Sequence, residues 1–451
     1  MSRIKIILLA FTLALLFSGC VENSAVVEGN GDQIDGNPDQ VDETFEEVDE
    51  NTGIINENKT EIPENTINAN SVEDYDIAAA NNAFAFDMYS QLTQPEAGEY
   101  ENILFSPHSI CAAMAICYEG AEDTTKEQIS NVFYFPIDKK VLREGFKDAN
   151  GRINSGNDNY ELKTANALWA QEGYPVKEEY IYNVKNYYDG KVTNLDFVGK
   201  PDDSIDAINE WVEDKTNNKI RDLVPENSIR SDTRIIITNA IYFNGKWRYV
   251  FDKELTEKGP FYPAEGEKIS VDMMHIAENF AYGENPEAKI IELPYRGNDL
   301  SMYIVLPKKN DIGKFEAEFT LNNYTELKKG MGFTAEVETS IPKFKFETKT
   351  ELSDSLIKMG AVDAFGPANF TGISDSPLKV SEVIHQTFID VYEEGTEAAA
   401  STMVGVDECC ASSDIKEFKA DHPFMFFIED RRTNCILFMG KVEYPEYEND
   451  T

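Results

Sequence analysis

The chain is poor in the residues from which catalytic, metal and nucleic-acid sites are usually built. It has four histidines, three tryptophans and six cysteines, and its 41 lysines and arginines are outnumbered by 82 acidic residues, for a net charge of −41. Phosphate neutralisation needs clustered lysine and arginine, so this balance argues against a nucleic-acid partner. The sequence also lacks a nucleophile elbow, a histidine pair flanking a glutamate, a phosphate-binding glycine loop and a paired Cys-x-x-Cys. We therefore expect no metal or other cofactor.

The histidines and most of the cysteines are predicted to be structural. None of the four histidines is spaced as part of a metal ligand set: His108, His275, His385 and His422. Cys111 and Cys117 fall in an apolar helical stretch and Cys435 in a strand-like one, which is typical of packed free thiols. A Ser/His/Asp triad is assembled in space rather than along the chain, so a hydrolase stays open as an alternative.

The first twenty residues are typical of an export signal. Arg3 and Lys5 precede an apolar run over residues 6–17 that is too short to span a bilayer. Residues 16–20 resemble a prokaryotic lipobox, whose cysteine becomes the lipidated first residue of the mature protein. We expect a lipoprotein-type signal over residues 1–20, with Cys20 anchoring the exported protein to membrane at the cell surface or envelope. An ordinary signal would instead release it as a secreted protein.

Residues 21–76 form an acidic segment with seventeen acids, one lysine and no sustained helical or strand period. Such a composition cannot bury enough apolar surface to offset its ordering entropy. We predict a disordered, self-repelling tether, followed by one large domain over residues 77–451. That domain shows no second linker and no internal repeat.

Local patterns within the domain are mixed. Apolar spacing predicts helices over residues 77–92, 109–119 and 205–223. Strand-like runs occupy residues 234–243, 290–293, 301–306, 335–346 and 434–442. Helices dominate the first half and strands the second without regular alternation, so the pattern predicts an α+β fold.

A run of small side chains, EEGTEAAAST, covers residues 393–402. Laid out as a strand, Thr396, Ala398 and Ala400 point one way, and Glu397 and Ala399 the other. A uniformly small or β-branched face suits a strand that slides into an already formed sheet, because large or charged residues would block its entry. Gly395 supplies backbone freedom for a hinge. An alanine-rich surface linker is the alternative reading.

Several stretches resemble the landmarks of serpins, in order along the domain. Residues 393–402 resemble the proximal hinge of an inhibitory serpin. The other matches are residues 105–110 (start of the second helix), 239–247 (third central strand and breach), 341–344 with 352–365 (the strand and helix before the loop), and 420–428 with 438–442 (C-terminal signature). The resemblance implies three β-sheets, eight or nine helices and an exposed reactive-centre loop over about residues 393–416.

Serpin resemblance also implies a mechanism that is inhibitory rather than enzymatic. A target serine protease, or a cysteine protease, attacks the loop of a monomeric inhibitor, and the cut loop inserts into the central sheet and traps the acyl-enzyme. Seventeen residues from Glu393 to Cys409 would reach about 56 Å, the length of a domain. The alternative is a non-inhibitory serpin that acts as a carrier, chaperone or surface component.

The family's functional positions map onto this sequence residue by residue. The hinge is Glu393, Glu394, Gly395, Thr396, Glu397, Ala398, Ala399 and Ala400; the shutter, a polar cluster that governs separation of the central strands, is Ser106, Ser109, Asn239 and His385. Trp247 matches the breach, where insertion begins. The alternative is a purely structural role for each, with Ser106 as a helix cap and Trp247 as a core aromatic.

The hinge spacing predicts the scissile bond between Cys409 and Cys410. Counting back from Pro423 moves it as far as Ser412-Ser413. A small, soft cysteine before the cut suits elastase-like or chymotrypsin-like proteases, whereas cleavage after Glu408 would point to a glutamate-preferring protease. No lysine or arginine occurs between residues 397 and 416, which argues against a trypsin-like target.

Overall fold

A computed structural model describes residues 75–93, 102–153, 159–333, 336–396 and 415–447. The predicted signal with Cys20, the tether up to residue 74 and the loop residues 397–414, including Cys409 and Cys410, lie outside the described residues. Tyr75 and Asp76 belong to the packed domain, since Tyr75 is buried and Asp76 caps the first helix. No helix in the described part of the chain is long and apolar enough to cross a membrane.

The described residues contain ten α-helices. They are α1 (Ile77–Leu92), α2 (Pro107–Gly120), α3 (Asp123–Phe133), α4 (Lys139–Ile153), α5 (Glu178–Tyr187), α6 (Pro201–Lys215), α7 (Ile312–Glu318), α8 (Leu321–Lys329), α9 (Ser353–Met359) and α10 (Val362–Phe365). Nine of these have seven or more residues, which confirms the predicted helix content, and the four-residue α10 adds a tenth.

Sixteen strands are described. They are β1 (Ile103–Phe105), β2 (Tyr160–Gln171), β3 (Lys191–Leu195), β4 (Ile235–Lys246), β5 (Glu257–Phe261), β6 (Ile269–Glu278), β7 (Tyr282–Glu284), β8 (Ala288–Pro294), β9 (Leu300–Pro307), β10 (Val337–Pro342), β11 (Phe344–Glu351), β12 (Val380–Tyr392), β13 (Gly395–Thr396), β14 (Lys416–Lys419), β15 (Phe424–Asp430) and β16 (Cys435–Val442).

These strands form three sheets, as predicted for the α+β fold. Sheet A has the order β11-β12-β13-β4-β2-β3, sheet B the order β1-β16-β15-β9-β8-β7, and sheet C the order β14-β10-β6-β5. Sheet A is mixed, because β12 pairs with β4 in parallel whereas β2 pairs with β4 antiparallel. Its centre therefore contains two parallel neighbours with no direct connection between them.

Helix α2 is fully buried and packs beside sheets A and B. Ser106 caps its N-terminus, Pro107 occupies the first turn, and all fourteen residues of the helix are buried. Cys111 and Cys117 on this helix and Cys435 in β16 are buried free thiols, as predicted. Burial raises the pKa of all three thiols, so they stay protonated and unreactive at neutral pH.

Two predicted elements were wrong. The helix predicted over residues 205–223 ends at Lys215, because Asn217 and Asn218 take positive φ values of 54° and 60° and turn the chain. The strand predicted over residues 335–346 is two strands in different sheets: β10 belongs to sheet C and β11 to sheet A. Lys343 joins them, and its main-chain N–H donates to the main-chain carbonyl of Asp272 in β6. A continuous β-like pattern cannot reveal such a change of sheet.

Candidate functional site

The four predicted shutter residues meet beneath the centre of sheet A. Asn239 of β4 and His385 of β12 are opposite each other in the parallel ladder, and their side chains are hydrogen-bonded. The Asn239 amide also donates to the main-chain carbonyl of Ser109, at 2.9 Å, and to the Ser109 hydroxyl. The Ser106 hydroxyl donates to the Leu437 carbonyl of β16 at 2.6 Å. One network thus links helix α2, β16 and the two central strands.

The partners of His385 determine its tautomer. The main-chain N–H of Ser106 donates to Nε2 at 3.0 Å, so Nε2 carries no proton and Nδ1–H donates to the side-chain oxygen Oδ1 of Asn239. Burial lowers the pKa of His385 to about 3. Protonating Nε2 would place two donors face to face in a buried site, so the neutral ring is strongly favoured.

Asn166 of β2 completes this network, although sequence reasoning missed it. Its carbonyl oxygen accepts from the Asn239 amide and lies 3.5 Å from the Ser109 hydroxyl. Asn166 is 5% exposed. The signal in the sequence is an amide within the otherwise apolar run of residues 165–170. Separation of β4 from β12 must break the Asn239–His385 bond of this network, and buried polar groups are costly to leave unpaired.

Two residues of the predicted hinge already lie inside sheet A. Gly395 and Thr396 form β13, which pairs antiparallel with Tyr392 and Val391 of β12 on one side and with β4 on the other. Below this point β12 and β4 pair directly, from Val380 opposite Ile235 to Phe388 opposite Tyr242. The sheet is therefore parted by two hinge residues at one end and closed over the rest of its length.

Gly395 is required by this arrangement for steric reasons. A Cβ atom added at Gly395 would lie 2.2 Å from the carbonyl oxygen of Gly245 and 2.8 Å from the Cα of Lys246. Both contacts are with backbone, so neither can be relieved by a side-chain rotation. The close approach of β13 to β4 thus depends on the absence of a side chain at position 395.

Trp247 occupies the end of sheet A at which β13 enters. Its ring stacks on Tyr295 with centroids 4.6 Å apart, its Nε1–H donates to the Tyr392 carbonyl, and its main-chain N–H donates to the Glu394 carbonyl. The Tyr295 and Thr396 hydroxyls are 2.8 Å apart. Burial raises the pKa of Tyr295, so its phenol remains protonated. Tyr295 was not predicted from the sequence.

Ionic contacts fix the turn that connects β12 to β13. The Glu393 carboxylate lies 3.2 Å from the Lys343 ammonium and accepts from the Thr256 hydroxyl at 2.9 Å. Glu394 pairs with Lys253 at 2.7 Å. The side chains of Lys343 and Glu393 are 12% and 5% exposed, so their pairing is little screened by solvent, unlike the Lys253 pair at the surface.

A serine–histidine pair elsewhere does not support the hydrolase alternative. The Ser340 hydroxyl lies 2.8 Å from His275 Nδ1, and Glu257 lies 3.9 Å from His275 Nε2. Ser340 sits within β10, which β6 and β14 flank on both sides. Its surrounding main-chain groups are engaged in the ladder, whereas acyl transfer needs free N–H donors directed at the developing oxyanion. Among the described residues, no group of three or more His, Cys, Asp or Glu side chains is placed to hold a metal.

Comparisons with known proteins identify the family. The family model "Serpin (serine protease inhibitor)" matches residues 79–445. The chain belongs to the serpin family. It is similar to an uncharacterized serpin-like protein of Methanosarcina mazei, with 69% identity over 454 residues and full coverage of both chains. It is also similar to the human leukocyte elastase inhibitor, with 34% identity over 82% of this chain and 99% of that protein.

The fold of this serpin is also similar to solved structures. Human thyroxine-binding globulin in complex with thyroxine matches with a TM-score of 0.75 and 27% identity, over 82% of this chain and 99% of that one. Family members are mostly protease inhibitors rather than catalysts, and some are carriers. The family assignment therefore supports a non-catalytic protein and leaves open whether this serpin inhibits or carries.

Proposed function

We propose that this serpin is a suicide-substrate inhibitor that traps serine proteases by inserting its cleaved reactive loop into sheet A. The observation that carries this proposal is the position of Gly395 and Thr396, which already form a strand between β12 and β4. Thr396 is 1% exposed and its side chain is small and β-branched, as the inward face of an inserting strand requires. Insertion then proceeds by extending β13 and separating the β12–β4 ladder.

The ladder explains how the shutter controls insertion. His385 and Asn239 face each other across the two strands that must part, so each step of insertion past them exchanges their direct bond for bonds to the new strand. The new strand supplies main-chain donors and acceptors to both β12 and β4. Insertion is proposed to follow only after the target protease has cut the chain.

The target protease is proposed from the residues around the scissile bond. Cleavage between Cys409 and Cys410 suits an elastase-like or chymotrypsin-like protease, and the likeness to a human leukocyte elastase inhibitor agrees with this class. Cleavage after Glu408, or a cysteine protease as the target, are the alternatives. The lipobox-like signal supports an anchor through Cys20 at the cell surface or envelope, with the acidic tether holding the domain away from the lipid; an ordinary signal would instead release a secreted inhibitor.

A panel of elastase-like, chymotrypsin-like and glutamate-specific proteases tests the proposal. A complex that survives denaturing gel electrophoresis, together with a released C-terminal peptide, is the expected result, and the mass of that peptide locates the cut bond. Complete cleavage without a complex, for every protease, would contradict inhibition. That outcome would favour the carrier function, for which the likeness to thyroxine-binding globulin is the supporting observation.

A further inference from the structure

The carboxyl-terminal tail contacts the base of the hinge. After β16 ends at Val442, the chain is held by Asn102, whose amide donates to the Tyr444 carbonyl at 2.8 Å and whose side-chain oxygen accepts from the N–H groups of Glu443 and Tyr444. The carbonyl of Glu446 then accepts from the main-chain N–H of Lys345, at 2.9 Å. The tail is thereby fastened along β11, the edge strand of sheet A.

Tyr447 brings the tail to the ionic pair that fixes the hinge turn. Its ring centroid lies 4.1 Å from the ammonium of Lys343, which pairs with the Glu393 carboxylate on its other side. The Lys343 ammonium is thus held between an aromatic face and a buried carboxylate. Both partners attract a cation, and the ring also excludes water from the pair, which strengthens the attraction between Lys343 and Glu393.

A second contact of Tyr447 reaches the strand that leads into the hinge. Its phenol is hydrogen-bonded to the carboxylate of Asp390 in β12, and burial together with that negative charge raises the pKa of Tyr447. Asp390 also lies 3.6 Å from the Lys345 ammonium. The tail side chain therefore contacts both sides of the turn region: β12 before it, and the lysine that holds Glu393 within it.

We propose that Tyr447 is a positioning residue for loop insertion and that residues 443–447 act as a clasp on the hinge turn. The inference rests on the proposed inhibitory function, because it assigns a control element to the same site. By keeping Lys343 against Glu393, the clasp holds the turn between β12 and β13 in place and limits how readily the end of sheet A opens. Without the ring, water reaches Lys343, and the hinge turn is held more weakly.

The inference is tested without any protease by peptide annealing. A synthetic peptide with the sequence of residues 396–407 competes for the space between β12 and β4, and its rate of incorporation into the intact full-length protein reports opening of the sheet. Tyr447→Ala should speed incorporation about fivefold, in line with the usual strength of a partly buried cation–π contact. Tyr182→Ala, at a tyrosine that is 61% exposed, is the matched control and should leave the rate unchanged.

Two further variants separate the ring from other effects. Tyr447→Phe keeps the ring over Lys343 and loses only the phenol, so its rate should stay within about twofold of the wild type. In a Lys343→Gln background, Tyr447→Ala should add almost nothing, because the two residues act through one contact. Equal rates for Tyr447→Phe and Tyr447→Ala, or full additivity with Lys343→Gln, would overturn the assignment.

The protease panel distinguishes this inference from the proposed function. If the wild-type protein traps a protease but Tyr447→Ala anneals peptide at the wild-type rate, the clasp is wrong and the inhibitor stands. If no protease is trapped while the annealing rates differ as expected, the inhibitory function is wrong and Tyr447 controls only the opening of sheet A.

Discussion

The hydroxyl of Tyr295 lies 2.8 Å from the hydroxyl of Thr396, a residue of strand β13 in sheet A. The contact joins the second residue of the inserted hinge strand to the ring that stacks on Trp247. Tyr295 and Trp247 thus provide a preformed surface for the first inward-facing residue of the loop. In the proposed mechanism, insertion starts from this seated residue, and the cut loop only has to extend an existing strand.

Thr396→Arg should convert the inhibitor into a substrate. Thr396 is 1% exposed and contacts the buried Tyr295 phenol, so a guanidinium at position 396 would have to lose its hydration in a site that fits a threonine, and the strand cannot seat there. We expect cleavage at the wild-type rate with little or no denaturation-resistant complex. Val198→Arg, at a side chain that is 55% exposed, is the control and should form complex normally. An unchanged yield of complex from Thr396→Arg would refute insertion at this position.

Gly395→Ala should expel the hinge from the sheet. The added Cβ meets the backbone of Gly245 and Lys246, so the pairing of β13 with β4 must break. Amide hydrogen exchange over residues 245–251 should speed up, because the Trp247 and Phe251 N–H groups lose their acceptors in the hinge turn. Gly151→Ala, where a Cβ meets nothing within 4 Å, is the control. Wild-type exchange in Gly395→Ala would show that β13 does not depend on the glycine.

Asn166→Ala should destabilise the domain through the shutter. It removes the side-chain carbonyl that accepts from the buried Asn239 amide, which keeps its bonds to Ser109, and the loss of one such hydrogen bond costs about 0.5–1.5 kcal/mol. The free energy of unfolding by urea should fall by that amount. Asn186→Ala, on the exposed face of α5, should change it by less than about 0.5 kcal/mol. Equal stabilities for the two variants would remove Asn166 from the network.

Acid should weaken the domain through its buried histidines. Burial lowers the pKa of His385 from its usual 6.5 to about 3 and that of His108 from 6.5 to about 4. Between each lowered pKa and pH 6.5, the unfolded state therefore binds more protons than the folded state. The stabilisation is complete above pH 6.5 and is lost as the pH falls toward 3. At pH 5 the loss is about 2 kcal/mol for each histidine. His385→Gln should therefore show a shallower decline of unfolding free energy from pH 7.5 to 5; an identical slope would contradict a neutral, buried ring.

Local patterns in the sequence predicted much of the fold, and the four residues that the family landmarks predicted for the shutter lie in one hydrogen-bonded network. Helix α1 occupies the predicted residues 77–92, and β4 and β16 begin within one residue of their predicted starts. The helix predicted over residues 205–223 was too long because two asparagines in the left-handed conformation follow its observed end. The spacing of apolar residues gives no sign of that turn. The prediction of a single strand over residues 335–346 was wrong because one β-like run can contribute strands to two sheets.

The residues that sequence reasoning missed are those whose roles depend on distant partners. Asn166 lies 73 residues from Asn239, and Tyr295 lies 101 residues from Thr396. Each is an ordinary strand or loop residue in its own neighbourhood. Tyr447 is the same case, since only the path of the tail along β11 brings its ring to Lys343. Local patterns cannot identify such residues, because only the three-dimensional pairing of strands defines their role.

The most direct test of insertion is the thermal stability of the protein before and after a single cut in the loop between residues 397 and 414. An inserted strand of about ten residues adds roughly ten main-chain hydrogen bonds, each worth about 1 kcal/mol. At about 1–2 °C per kcal/mol for a domain of this size, the midpoint of unfolding should rise by on the order of 10–20 °C after cleavage. Thr396→Arg, cut at the same bond, should show much less of this rise. An unchanged or lower midpoint for the cleaved wild-type protein would contradict loop insertion.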